Sequence, residues 1–201
     1  MKESVDIIIA GVGGQGNVLA SQIYAAAAVE AGLKVAVGET YGAAQRGGSV
    51  VSHLRISEDC KYGPLIPRGR AEAIVGLEPL EALRVLLEYG NCQTMVVTND
   101  RLNYPLGVLT GGDEYPSLER LTEAMRRTAR KVCVLPATEM AKEAGNAVAA
   151  NVVLTGALAA AGVAPIPMGT FRRVIEMRFG GETRMLNLKA FELGAECQVS
   201  W

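Results

Sequence analysis

Histidine is nearly absent: 201 residues contain one, His53. That leaves the commonest general base a single position, with no nucleophile near it in sequence, so His53 reads as a structural residue. The four cysteines, Cys60, Cys92, Cys133 and Cys197, lie far apart and form no C-x-x-C pair. An iron–sulfur cluster or zinc knuckle held by this chain alone therefore lacks its ligand spacing, and no metal site is expected. The thiols fit a reducing compartment. Aromatic residues make up 5% of the chain, too few for the stacking platforms of single-strand binders. The formal net charge is −1 with no long run of either sign, which argues against nucleic acid or a membrane surface as partner. No signal peptide is expected, because Met1, Lys2, Glu3 and Ser4 run straight into an apolar strand. The longest apolar stretch, residues 147–167, is rich in Ala and Gly and contains Asn151 and Thr155; it reads as a buried helix rather than a membrane span. These absences together point to the cytoplasm.

Apolar side chains, in contrast, are plentiful. Hydrophobic residues make up 49% and charged ones 20%, as a well-buried core requires. No repeat, low-complexity linker or composition break divides residues 1–201, so one domain is expected. Strand patterns fall at 5–10, 34–37, 49–56, 73–77, 94–98 and 131–135. Helix patterns fall at 15–31, 80–89 behind Pro79, 117–130 capped by Ser117, 138–143, 147–161, 170–178 and 184–193. Strands alternating with helices predict an α/β protein with a Rossmann-like open, mostly parallel sheet and helices on both faces.

Two glycine-rich loops stand out in that frame. Gly11, Gly13 and Gly16 match G-x-G-x-x-G between the first strand and first helix, with Gly14 and Gln15 inside the turn. Such a turn brings backbone N–H groups and a helix N-terminus to an anion; the same glycines also serve a turn that only packs strand on helix. The second loop spans 38–48 and carries Glu39, Tyr41, Gln45 and Arg46, with Gly47, Gly48 and Ser49 following. It is longer than the usual ~2–6 residues between elements. Arg46 has the fork geometry for a phosphate or carboxylate. Both loops should lie at the carboxyl ends of strands and be neighbours. Glu39 comes 28 residues after Gly11, later than the ~20 of a ribose-binding acid, which argues against a nicotinamide cofactor. Glu78 before Pro79 either lines the same edge or favours the helix start. Asn151 reads as a buried packing hydrogen bond. No nucleophile–base pair is evident, so no catalytic residue is assigned.

The strings GVGGQG at 11–16, ETYGAAQRGGSV at 39–50, GPLIP at 63–67 and GLEPLEA at 76–82 resemble the gamma-type domain of 2-oxoacid:ferredoxin oxidoreductases. AKEAGN at 141–146, NVVLTG at 151–156 and NLKAFELG at 187–194 continue the likeness over nearly the whole chain. Ala44 stands where many members have methionine. Within the family the resemblance is strongest to the branch acting on indolepyruvate and other aryl pyruvates; pyruvate, 2-oxoglutarate and branched 2-oxoacids are alternatives, as is a free-standing dinucleotide-binding protein. The resemblance implies oxidative decarboxylation of a 2-oxoacid to an acyl-CoA with electrons passed to ferredoxin. Thiamine diphosphate, magnesium and iron–sulfur clusters would sit on a large partner subunit, and this chain alone would be inactive. It implies that Gly11, Gly13, Gly14, Gln15 and Gly16 face coenzyme A (CoA). Glu39, Gln45, Arg46, Gly47, Gly48 and Ser49 would complete the site toward the partner.

Overall fold

The computed structural model describes residues 4–41, 48–59, 62–104, 108 and 114–197. Six strands form one sheet: β1 (Val5–Val12), β2 (Lys34–Tyr41), β3 (Ser49–Ser57), β4 (Ala73–Gly76), β5 (Met95–Asn99) and β6 (Lys131–Leu135). Their order across the sheet is β2-β3-β1-β4-β5-β6. β1, β4, β5 and β6 pair in parallel, whereas β3 runs antiparallel to both β1 and β2. Alternation of strand and helix is interrupted at this point. No helix separates β2 from β3, so the chain returns as a hairpin and β3 enters between β1 and β2. β2 also extends to Tyr41, four residues beyond the apolar run, because Gly38 to Tyr41 continue pairing with His53 to Val50. The connection to β3 is correspondingly shorter than 38–48.

Seven helices among the described residues cover the sheet: α1 (Asn17–Glu30), α2 (Pro79–Tyr89), α3 (Leu118–Thr128), α4 (Ala137–Ala144), α5 (Ala150–Ala160), α6 (Met168–Arg178) and α7 (Gly181–Glu196). Successive residues of a strand point to opposite faces, and the two faces bury separate cores. Ile7, Ile9, Val75 and Val97 pack against α1 and α4 to α7; Ile8, Ala10, Ile74 and Val96 pack against α2 and α3. This explains why β1 and β4 read as continuous apolar runs. Tyr24 of α1, Phe171 of α6 and Phe191 of α7 anchor the first face, with ring centroids 4.9 and 5.7 Å apart in turn.

The apolar stretch expected as one helix over 147–161 is two elements. Asn146 accepts a hydrogen bond from the Val148 N–H at 3.0 Å and starts a 3-10 turn, Ala147–Ala149, before α5 begins. α5 is buried nearly all round, which is why it resembles a membrane span in sequence; no helix of the described residues is long and apolar enough to cross one. Its close crossing with α7 depends on two glycines. A β-carbon on Gly194 would lie 1.9 Å from the Val153 carbonyl oxygen, and one on Gly156 2.1 Å from that of Phe191.

Two buried polar groups on β3 hold the sheet's other end. The Arg55 guanidinium donates to Asp6 at 3.1 and 3.4 Å, with both side chains largely buried. His53 is 1% exposed, accepts from the Ile66 N–H at 3.4 Å and meets the Tyr89 ring edge-on at 5.1 Å. Burial lowers its pKa below the ordinary histidine value, against the opposing pull of Glu88. It is a neutral core histidine, as its isolation in the sequence suggests.

Candidate functional site

The direction of chain travel reverses between β1 and β4, and an open α/β sheet leaves a crevice beyond its strand ends there. A cavity of about 250 Å³ occupies this position. Gly14 and Gln15 after β1, Leu77 after β4, Asn99 at the end of β5, and Arg101 and Asn103 after it form one side. Thr138 of α4, Ala147 and Val148 of the 3-10 turn, and Ala150, Asn151 and Leu154 of α5 form the other. Arg101 is the sole ionisable side chain among these twelve. The walls are otherwise amide, hydroxyl and aliphatic, so the cavity suits a ligand with one anionic group and several hydrogen-bonding atoms.

The glycine turn is built by close contacts as much as by conformation. Gly11 belongs to β1, and a β-carbon there would meet the side chains of Gln15, Asn17 and Leu77 within 2.9 Å. Gln15 folds back so that its side-chain oxygen accepts the Val12 N–H at 2.8 Å. Gly14 and Gly16 take φ of +101° and +90°, which a side chain rarely tolerates. Asn151 Nδ2 donates to the Gly16 carbonyl at 3.0 Å and fills the space where a Gly16 β-carbon would sit, at 2.3 Å. Asn17 ties α1 to two strands, donating to the carbonyls of Ile9 and Val50. Asn151 is therefore both the packing amide expected from sequence and part of the cavity wall.

The loop neighbours foreseen from sequence do meet. The Gly13 N–H donates to the Gly48 carbonyl at 2.8 Å, and Ser49 lies opposite Val12 in the β1–β3 register. Gly14 and Gln15 reach the cavity; Gly11, Gly13, Gly16, Gly48 and Ser49 support it or sit beside it. Gln45, Arg46 and Gly47 fall outside the described residues. Glu39 stands apart. It lies on β2, where its carboxylate accepts from Ser21 Oγ at 3.3 Å and from the Tyr41 hydroxyl. With β3 interposed, β2 is two strand spacings from β1, about 10 Å. A ribose-binding acid belongs on the strand beside the glycine turn, and here that place is taken by an antiparallel strand. The topology thus adds to the spacing argument against a dinucleotide.

Sequence reading overlooked Asn99, Arg101, Asn103 and Thr138. Asn99 and Thr138 hold one another: Asn99 Nδ2 donates to Thr138 Oγ1 at 2.9 Å, and the Thr138 N–H to Asn99 Oδ1 at 3.3 Å. Their only signal was position at a strand's carboxyl end. Behind the cavity, Glu78 caps α2 by accepting the Glu81 N–H at 2.9 Å, and the Tyr115 hydroxyl donates to its other oxygen. Burial raises its pKa above the usual carboxylate value, the Tyr115 and Glu81 hydrogen bonds opposing. Gly76 lets the start of α2 come this close, since a β-carbon there would lie 2.4 Å from that of Ala82. Among the described residues no three His, Cys, Asp or Glu side chains converge as a metal site.

A switch-point crevice beside a glycine turn is shared by many α/β proteins, and comparison with known proteins narrows it. The chain belongs to the pyruvate ferredoxin/flavodoxin oxidoreductase family, whose model matches residues 6–197. It is similar to proteins named indolepyruvate oxidoreductase subunit IorB. That of Archaeoglobus fulgidus is 38% identical over 98% of this chain and 96% of its own, and that of Thermococcus kodakarensis 40% identical over the same shares. Among solved structures, a keto/oxoacid ferredoxin oxidoreductase gamma subunit from Geobacter sulfurreducens superposes with a TM-score of 0.70 at 25% identity, covering 97% of this chain and 96% of that one. A 2-oxoglutarate:ferredoxin oxidoreductase from Magnetococcus marinus, solved with 2-oxoglutarate, coenzyme A and succinyl-CoA bound, gives 0.73 at 26% identity. That match covers all of this chain but 32% of the larger one.

Proposed function

We propose that this chain is the small subunit of a thiamine-dependent 2-oxoacid:ferredoxin oxidoreductase that converts indolepyruvate or other aryl pyruvates to acyl-CoA. The observation that carries the reading is the 38–40% identity, over nearly full length, to subunits named for indolepyruvate. The more distant 29% likeness to ketoisovalerate oxidoreductase subunits makes branched 2-oxoacids the next alternative. The chain acts as one gamma-type domain in the cytoplasm, joined to a large subunit that carries thiamine diphosphate, magnesium and iron–sulfur clusters and delivers electrons to ferredoxin. Alone it is inactive.

The switch-point cavity is the part of this chain suited to CoA. Bound there, CoA would supply the thiol that accepts the acyl group. Arg101 would neutralise a phosphate, while Asn103 and Gln15 offer amide hydrogen bonds and Leu77, Val148 and Leu154 an apolar wall. The residues present fit that chemistry: one cation, several amides and no opposing carboxylate on the wall. The 42–48 connection starts at the same sheet edge, so Gln45 and Arg46 are proposed to face the thiamine-bearing subunit.

The test is co-expression with a thiamine- and iron–sulfur-bearing large subunit from the same organism. Indolepyruvate- and CoA-dependent ferredoxin reduction is expected from the complex and not from either chain alone. Arg101→Gln should raise KM for CoA several-fold with little change in kcat. Tight binding of NAD, NADP or a flavin by the isolated chain would overturn the reading. An Arg46→Ala complex that assembles poorly yet turns over normally per intact complex would leave that loop an assembly element and take it out of the active site.

A further inference from the structure

The GLEP string at 76–79 places a carboxylate where capping alone does not need one. Helix N-caps favour the short side chains of Ser, Thr, Asp and Asn. Glu78 is longer, 1% exposed, and buried beside a second carboxylate, Glu81. Burying an ion is costly unless donors compensate it. Glu78 accepts two hydrogen bonds, from the Glu81 N–H on α2 and the Tyr115 hydroxyl, and the backbone of Asn103 also favours its charged form. Tyr115 and Asn103 belong to the chain between β5 and α3, whose first residues, Arg101 and Asn103, line the cavity. Tyr104 stacks edge-on against Tyr115 at 5.0 Å and braces the same stretch. The other charges facing this group are Glu81, which Arg84 pairs at 2.8 Å, and Arg84 itself.

We infer that Glu78 is a positioning residue for the cavity: from behind, it holds the stretch that presents Arg101 and Asn103, while capping α2. The extra methylene of Glu over Asp gives the reach to do both. The inference rests on the cavity being a binding site, but its first readout needs no ligand.

The experiment is amide hydrogen exchange on the full chain, comparing wild type with Glu78→Asp, Glu78→Gln and Tyr115→Phe. Val97 in the central sheet serves as the internal reference for global stability. Asn103 exchange should quicken about tenfold in Tyr115→Phe and in Glu78→Asp, the loss of one charge-assisted hydrogen bond, with Val97 unchanged. A residue that only caps α2 would tolerate Asp with no change at Asn103, and that result overturns the inference. If Glu78→Gln fails to fold, Tyr115→Phe and Glu78→Asp still decide. In the assembled complex, Tyr115→Phe should raise KM for CoA at constant kcat. Faster exchange at Asn103 with KM unchanged would uphold the clamp and instead defeat CoA as the cavity's ligand.

Discussion

The clearest prediction concerns Gly16 and Asn151, which are 135 residues apart in sequence. Replacing Gly16 with Ala has two separable costs. The residue sits at φ +90°, where a β-carbon costs ~1–2 kcal/mol. That carbon would also lie 2.3 Å from Asn151 Nδ2 and 3.1 Å from its Cγ. Asn151 must then swing away and abandon the Gly16 carbonyl, a further ~1–2 kcal/mol. The expected total is ~2–4 kcal/mol. Asn151→Ala alone loses the same hydrogen bond, ~1–2 kcal/mol. In the double variant the bond is lost only once and the overlap is gone. Urea denaturation of all four proteins should therefore show the pair to be less destabilising than the sum by ~1–2 kcal/mol. Gly14→Ala is the control: φ is +101°, but nothing lies within 4 Å of its β-carbon, so only the conformational cost of ~1–2 kcal/mol remains. Additivity of Gly16→Ala and Asn151→Ala within ~0.3 kcal/mol would refute the claim that Asn151 clamps the turn.

Gly194→Ala should destabilise by ~3 kcal/mol or more in the same assay, because backbone rather than a flexible side chain occupies the space. Gly180→Ala, with open space around it, should stay within ~0.5 kcal/mol. His53 should weaken the acid limb of stability. Its pKa is lowered in the folded chain, so the unfolded state binds a proton first as pH falls. The stability it contributes is present above ~6.5 and lost as pH drops through that value toward the folded pKa. His53→Gln should shrink the difference in urea midpoint between pH 7.5 and 5.5; an unchanged difference would show that His53 is not kept neutral. Glu78 has the opposite sign, its pKa being raised by burial. Relative to Glu78→Gln, wild type should gain stability as pH falls through the raised pKa toward the ordinary glutamate range, and thermal melts between pH 7 and 4.5 check this.

Several features were decided locally and so were legible in the residues alone. Alternation of apolar runs with amphipathic segments fixed the strands and most helices. β6 falls at 131–135 as read, because an isolated β-branched run between a helix end and a proline has no competing conformation. Pro79 and Ser117 marked helix starts through backbone chemistry that needs no tertiary partner. The family likeness was carried by strings spread along the chain, and those are sequence by definition.

What only the tertiary structure decided is pairing and proximity. Nothing local tells a chain that β3 will turn back and enter between β1 and β2. That depends on which edge of β1 is free, and it is what removes Glu39 from the glycine turn. Nor does local sequence show that Asn99, Arg101 and Thr138 converge with Gly14 and Asn151. They come from five separate connections and elements and meet only because the strands share a carboxyl edge. Glu78 was legible as a helix-start acid, since that role involves its own neighbours. Its contacts with Tyr115 and Asn103 cross 25 residues or more, and only the packed fold brings those groups to its carboxylate.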